Sequence, residues 1–292
     1  MSPPTLVDVA VPMRLGSISG GRFDLAPEAI RAALDRYVAH GPDEPSRAEE
    51  LRPVVEANDE LAGVASMTPA DAFDRIRGHV GAVIERVRGS EAAVLLGGDN
   101  SITRPGVHAV ASEAGLERTG VLTLDAHHDL RPLDGGLTNG NPIRALLEDG
   151  LPGWNVVQIG IQPFANSTAH AEFASAAGVM VVTADEARQR GVAEVVNATL
   201  EALDRRVDAI YVDLDVDVLD RAHAPASPGA RPGGLLPWEV QAAARACGRH
   251  PKVRAIDIVE VDPERDVAGI TAFTAASFVL SFADGLGARI GR

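Results

Sequence analysis

The 292-residue chain is 46% hydrophobic, enough for one large core or two modest ones, and its 41 acidic against 27 basic residues give a formal net charge of -14. A chain this acidic is a poor partner for nucleic acid or for an anionic membrane surface. Cys247 is the sole cysteine, so no intrachain disulfide can form; with no basic-then-apolar leader in MSPPTLVDVAVPMRLG and no uninterrupted run of roughly 18 apolar residues, a soluble cytoplasmic protein is expected.

In chain order, short runs rich in Val, Ile and Leu predict strands at Leu6–Val11, Ala92–Leu96, Val121–Leu124, Val156–Ile161, Val179–Val182, Ala209–Val216 and Val253–Val261. They do not alternate polar with apolar residues, as befits strands buried on both faces. Helices are predicted between and after them, at Pro27–Val38, Pro69–Val87, Pro105–Ala114, Phe164–Ala177, Ala193–Arg206, Pro237–Cys247 and Thr271–Phe282. Several open on proline, whose missing N–H costs nothing in a first turn. The alternation implies an α/β fold, a mainly parallel sheet with helices on both faces, in a single domain spanning residues 1–292. Residues 40–66, with Gly41-Pro42, Pro45 and Pro53, read as an irregular excursion.

Ligands of such sheets bind outside the carboxyl ends of the strands. Four polar clusters fall there: Gly97-Gly98-Asp99-Asn100-Ser101, Asp125-Ala126-His127-His128-Asp129, Asp213-Leu214-Asp215-Val216-Asp217 and, after Ile256-Asp257-Ile258-Val259, Glu260. In an extended segment Asp125, His127 and Asp129 would share one face, crowding two carboxylates and an imidazole. Burying such carboxylates unpaired is expensive, and a divalent cation removes the penalty. Asp213, Asp215 and Asp217 repeat the pattern on another strand, where aspartate is disfavoured. The competing readings are a capped turn with a surface histidine for the first cluster, and an acidic edge strand or calcium loop for the second. The calcium loop fails because its obligatory glycine and glutamate are missing. Carboxylates with one imidazole and no thiolate suit Mn²⁺ better than structural Zn²⁺.

DAHHD, DLDVDVLD, the GGDNS turn and DIVEVDP resemble, in order, the motifs of the ureohydrolases, the arginase and agmatinase family, over about residues 90–285; GRFDLAPEAIRAAL is similar to an early family helix. The resemblance implies an arginase-like three-layer α/β/α sandwich, two Mn²⁺ ions per subunit, and a homotrimer or homohexamer. It implies that Asp125 and Asp215 bridge the ions, that Asp129 completes one site, and that His127 and Asp217 complete the other. Glu260 matches the glutamate that pairs with the substrate amidine or guanidine, and Asp129 is the residue through which the leaving nitrogen is protonated. Asp213 and Asp99 are assigned supporting roles. His128, between two ligands, should point away from them.

Two positions depart from arginase. Asn100 stands where arginase-like members place a histidine ligand, which makes one metal site labile, and Asn139, in Thr138-Asn139-Gly140-Asn141-Pro142, stands where arginases have a proton-shuttling histidine. Both departures, with Asp129-Leu130-Arg131, are most similar to the formimidoylglutamase branch, which cleaves N-formimidoyl-L-glutamate to L-glutamate and formamide in histidine degradation. That small-molecule substrate has one amidinium and two carboxylates. Arg131 and Arg144 are therefore candidate carboxylate contacts, beside Asn139 and Glu260. The alternatives are an agmatinase or guanidino-acid ureohydrolase, a metal-binding homologue without catalysis, and a deacetylase of related fold.

Overall fold

The computed structural model describes residues 5–37, 53–55, 59–87 and 91–291. Eight strands form one sheet: β1 (Leu6–Val11), β2 (Val54–Val55), β3 (Ala92–Gly97), β4 (Thr119–Leu124), β5 (Val156–Ile161), β6 (Met180–Thr183), β7 (Ala209–Asp215) and β8 (Val253–Val259). Their order is β2-β1-β3-β8-β7-β4-β5-β6, and every pairing is parallel. β3, β4, β5 and β7 are buried at every position, as their unalternating apolar runs require.

The helices divide between the two faces. α1 (Ala26–Leu34), α6 (Ala184–Arg190), α7 (Val192–Asp204), α8 (Pro237–Arg249) and α9 (Ile270–Gly287) pack on one core; α2 (Pro69–Arg86), α3 (Thr103–Ala114), α4 (Pro142–Glu148) and α5 (Thr168–Ala177) pack on the other. Strand side chains alternate between these cores: Val94 and Leu96 face the first, Ala93 and Leu95 the second. α9 is long and apolar enough to cross a membrane by composition, yet it lies against α8 and α1 and is mostly buried. At the sheet's far side, buried Asp8 of β1 takes a two-pronged contact from Arg31 of α1 at 2.8 Å on each oxygen. That pairing satisfies a charge that would otherwise be costly inside the fold.

Several boundaries differ from expectation for local reasons. α5 starts four residues later than predicted, because Phe164 takes a left-handed φ of 62° and Ser167 caps the helix by accepting from His170 N. α4 and α6 are too short to show helical periodicity; α6 is announced only by its reciprocal Thr183–Glu186 cap. Of residues 40–66, 40–52 and 56–58 lie outside the described residues, and the rest holds β2 and the eight-residue 3₁₀ helix Asp59–Ser66.

Candidate metal centre

β3, β8, β7 and β4 are consecutive in the sheet, so the four clusters meet at the carboxyl ends of four adjacent strands. Asp215 ends β7, Asp125 follows β4, Glu260 follows β8, and Asn100 opens the single turn Asn100–Ile102 between β3 and α3. Asp129 and Asp217 do not reach the cluster along an extended strand, as their spacing implied. Asp217 sits in the turn Val216–Val218, and Asp129 has a φ of 53°. Glu260, at φ 64°, is likewise left-handed. A left-handed non-glycine residue is strained backbone, and such strain collects at functional sites.

Backbone amides fix one oxygen of each central carboxylate. His127 N donates to Asp125 Oδ1 at 2.6 Å, Asp217 N to Asp215 Oδ1 at 2.7 Å, and Ala126 N to Asp217 Oδ1 at 3.1 Å. His127 Nδ1 lies 2.8 Å from Asp217 Oδ2 and 3.6 Å from Asp125 Oδ1. Ligand atoms of Asp125, His127 and Asp217 all fall within 4.8 Å of one another. His128 points away and meets Gln158 Oε1 at 2.7 Å, as alternation predicts.

Asp125, Asp129, Asp215, Asp217 and Glu260 are all buried, and among the described residues His127 alone makes an ion pair with any of them. Burial, reinforced by Asp217, pushes Asp125 up to about 7; burial also raises Asp129 and Asp215 well above the usual carboxylate range. Burial and then Asp99 push Glu260 up to about 8. Asp217 runs the other way: burial opposes ionisation, but His127 and nearby donors outweigh it. Asp217 in turn draws His127 upward. A pocket of clustered carboxylates with one imidazole is short of positive charge, and this donor set fits divalent cations.

Asn100 is tied in at three points. Its N–H donates to Glu260 Oε1 at 2.8 Å, its Nδ2 to Asp129 Oδ2 at 2.5 Å, and its Oδ1 lies 2.6 Å from Thr103 Oγ1. Thr103 Oγ1 is also 2.9 Å from Asp257 Oδ2, which accepts from Tyr211 Oη at 2.6 Å. Asp213, opposite Asp257 in the sheet, is fully buried beside it, and burial and then the charge of Asp257 hold its carboxyl well above the usual carboxylate range. It belongs to this buried seam beneath α3, away from the rim. Asp99 braces the turn, accepting from Ser101 N and from Gly16 N.

Above the cluster opens a cavity of about 420 Å³ lined by His127, Asp129, Asp215, Asp217 and Glu260, with Arg131, Asn139, His170 and Arg231 among its other walls. Arg131 makes no side-chain ion pair among the described residues. Its stem lies across Gly140, where a Cβ would stand 2.7 Å from Arg131 Cδ. Arg144 does not reach the cavity: its Nε donates to Glu148 at 2.6 Å and its guanidinium stacks 3.8 Å from the Phe173 ring centre. Arg231, His170 and Thr103 are the residues that the sequence pattern did not single out.

Residues 6–284 match the Arginase family model. The chain belongs to the arginase family. It is 36% identical over 279 residues to a formimidoylglutamase of Halalkalibacterium halodurans, covering 95% of this chain and 86% of that protein. It is 34% identical over 263 residues to the proclavaminate amidinohydrolase of Streptomyces clavuligerus, 88% and 79% of the two chains. The crystal structure of Bacillus subtilis formimidoylglutamase superposes with a TM-score of 0.86 at 31% identity, covering 98% of this chain and 88% of that one. These likenesses place the protein among arginase-family hydrolases of C–N bonds in linear amidines, with the arginase-like α/β/α fold. The match also reaches into residues before 90, where the motif resemblance was weak. Asn139 has no titrating group to offer an arginase-family site; its Nδ2 donates to Glu260 Oε1 at 2.9 Å, and its Oδ1 accepts from Ile18 N at 3.1 Å. It positions Glu260.

Proposed function

We propose that this arginase-family hydrolase is a binuclear manganese enzyme that cleaves N-formimidoyl-L-glutamate to L-glutamate and formamide. The observation that carries this reading is the pairing of a buried, cation-deficient carboxylate cluster with an uncompensated arginine, Arg131, in the wall of the same cavity. Asp125 and Asp215 would bridge two ions, with Asp129 and Asn100 completing one site and His127 and Asp217 the other. Mn²⁺ suits carboxylate, amide and imidazole donors without thiolate. Such a pair supplies hydroxide at neutral pH by lowering the pKa of water.

The protein groups do the rest. Glu260, its Oε1 already held by Asn100 N and Asn139 Nδ2, receives the amidinium. A cation there reverses the effect of burial and keeps Glu260 ionised. When the amidine carbon is attacked and its bond to the glutamate nitrogen breaks, Asp129 would take the proton that the added hydroxyl gives up and pass it to that nitrogen, so that formamide and the free amine leave. Arg131 binds one substrate carboxylate and so orients the reacting carbon.

A guanidino-acid substrate is the second reading, favoured by the likeness to an amidinohydrolase. Assay of N-formimidoyl-L-glutamate, agmatine and guanidino acids with added Mn²⁺ decides between them. Preference for agmatine would overturn the formimidoyl reading. We further infer one ureohydrolase domain acting in the cytoplasm as a homotrimer or homohexamer. Exposed Trp154, Trp238 and Val267 offer apolar surface for subunit contact; light scattering reads the assembly.

A further inference from the structure

The formimidoylglutamate reading needs two carboxylate contacts, and Arg144 is committed elsewhere. Arg231 lies on a different loop from Arg131, between β7 and α8, and lines the same cavity. This loop is pinned at both ends. Asp220 N donates to Leu235 O at 2.9 Å, Arg221 N to Arg231 O at 3.1 Å, and Gly233 N to Asp220 Oδ2 at 2.7 Å. Gly229, two residues before Arg231, presses on the carboxylate of Asp217; a Cβ there would stand 2.0 Å from Asp217 Oδ2. Only glycine allows that approach, so the position of the loop is set by a residue of the metal cluster itself.

The arginine is restrained without being neutralised. Its Nη1 donates to the carbonyls of Pro228, Gly229 and Ala230 at 3.1, 2.8 and 3.2 Å. Carbonyls are dipoles and leave the guanidinium charge intact, and no carboxylate of the described residues lies within ion-pair distance of it. The Nε and Nη2 edge donates to no protein acceptor among them. That edge is the fork that matches a carboxylate with two parallel hydrogen bonds.

We propose that Arg231 is a specificity-determining residue that binds a second substrate carboxylate, so that Arg131 and Arg231 together select dicarboxylate amidines. This rests on the formimidoyl reading of the site. The test compares the Mn²⁺-loaded enzyme with Arg231→Ala, Arg231→Lys and Arg131→Ala on three substrates. These are N-formimidoyl-L-glutamate, N-formimidoyl-4-aminobutyrate, which lacks the α-carboxylate, and N-formimidoyl-L-2-aminobutyrate, which lacks the side-chain carboxylate. Arg231→Ala should raise KM for formimidoylglutamate about ten- to a hundredfold, with little change in kcat. It should similarly impair one of the two monocarboxylates and spare the other, while Arg131→Ala shows the reverse selectivity. Arg231→Lys should recover part of the loss, having charge without the fork. Equal losses on all three substrates would reveal loop damage instead and overturn the assignment. So would an Arg231→Ala enzyme that matches the native one on formimidoylglutamate. If the native enzyme turns over agmatine and no formimidoyl compound, the reading of the site fails and this inference fails with it.

Discussion

Thr103→Val exchanges a hydroxyl for a methyl of similar shape at a position with no solvent exposure. The hydroxyl has one proton and two neighbours, Asn100 Oδ1 at 2.6 Å and Asp257 Oδ2 at 2.9 Å. An ionised Asp257 can only accept, so Thr103 donating to Asp257 has a lone pair left for Asn100. The two ends of a primary amide are nearly isosteric. In the structure Asn100 turns its NH₂ to Asp129; a cation held there would require the amide turned end for end, with its oxygen toward the cation and its NH₂ toward Thr103, which Thr103 donating to Asp257 permits. Valine removes both contacts. Losing one charge-assisted bond (about 1.5–3 kcal/mol) and one neutral bond (about 1 kcal/mol) lowers stability by roughly 2–4 kcal/mol. At about 2.1 cal/mol/K of unfolding entropy per residue, over 292 residues, that is a fall in Tm of roughly 3–7 °C. With the amide no longer oriented, Mn²⁺ affinity at the Asn100 site should fall about tenfold, while the His127–Asp217 site is unchanged. Electron paramagnetic resonance titration of free Mn²⁺ measures both affinities, and Thr103→Ser, which keeps the hydroxyl, should restore them. Native affinities at both sites in the valine variant would refute the relay from Asp257 to Asn100.

The rim was readable because strands buried on both faces tolerate little polarity, so Asp215 at the end of β7 and Glu260 just past β8 stood out against apolar runs. What was not readable is how the donors converge. Asp129 and Asp217 arrive through a left-handed residue and a single helical turn, and neither conformation leaves a periodic trace. Arg144 was misplaced for a related reason. It sits at the start of α4, a helix too short to reveal which way its face turns, and there Glu148 one turn on captures it. Arg231 lies in an irregular loop whose course is set by Gly229 meeting Asp217, a contact between residues far apart in mechanism and invisible in spacing. Thr103 shows the same limit, since the significance of a helix-opening threonine depends on Asp257, 154 residues away.

Asp215→Ala removes a ligand shared by both proposed sites; kcat should fall below detection and bound Mn²⁺ to one ion or none, and turnover in a folded variant would contradict the bridge. Asn100→His should tighten one site only, because imidazole is the stronger ligand, and unchanged titrations would show that Asn100 holds no metal. Gly140→Ala should push Arg131 aside, raising KM for formimidoylglutamate about tenfold, as for a weakened charged contact, with normal metal content; native kinetics would separate Arg131 from the substrate. The pH dependence has a sign that the site itself fixes. In chelator-treated protein, Asp125 and Glu260 keep protons up to about 7 and about 8, whereas in the unfolded chain they release them near the ordinary values of 3.8 and 4.5. His127, held up mainly by Asp217, also keeps a proton that the unfolded imidazole loses above 6.5. The folded state therefore binds more protons than the unfolded state between about pH 4 and 8, so stability must fall as pH rises through that window. Asp217, held down by His127 and nearby donors, acts oppositely only below the ordinary 3.8, and His128, His170 and His250, which burial holds below 6.5, oppose the trend up to that value but are outweighed by the further raised carboxyls of Asp129, Asp213, Asp215 and Asp257. Mn²⁺ competes with those same protons, so its stabilisation should grow with pH. Urea midpoints of the chelated and Mn²⁺-loaded protein should diverge from pH 5.5 to 8.5. A chelated protein that is more stable at pH 8 than at pH 5 would mean that these carboxyls are not the protonated, cation-starved cluster described above.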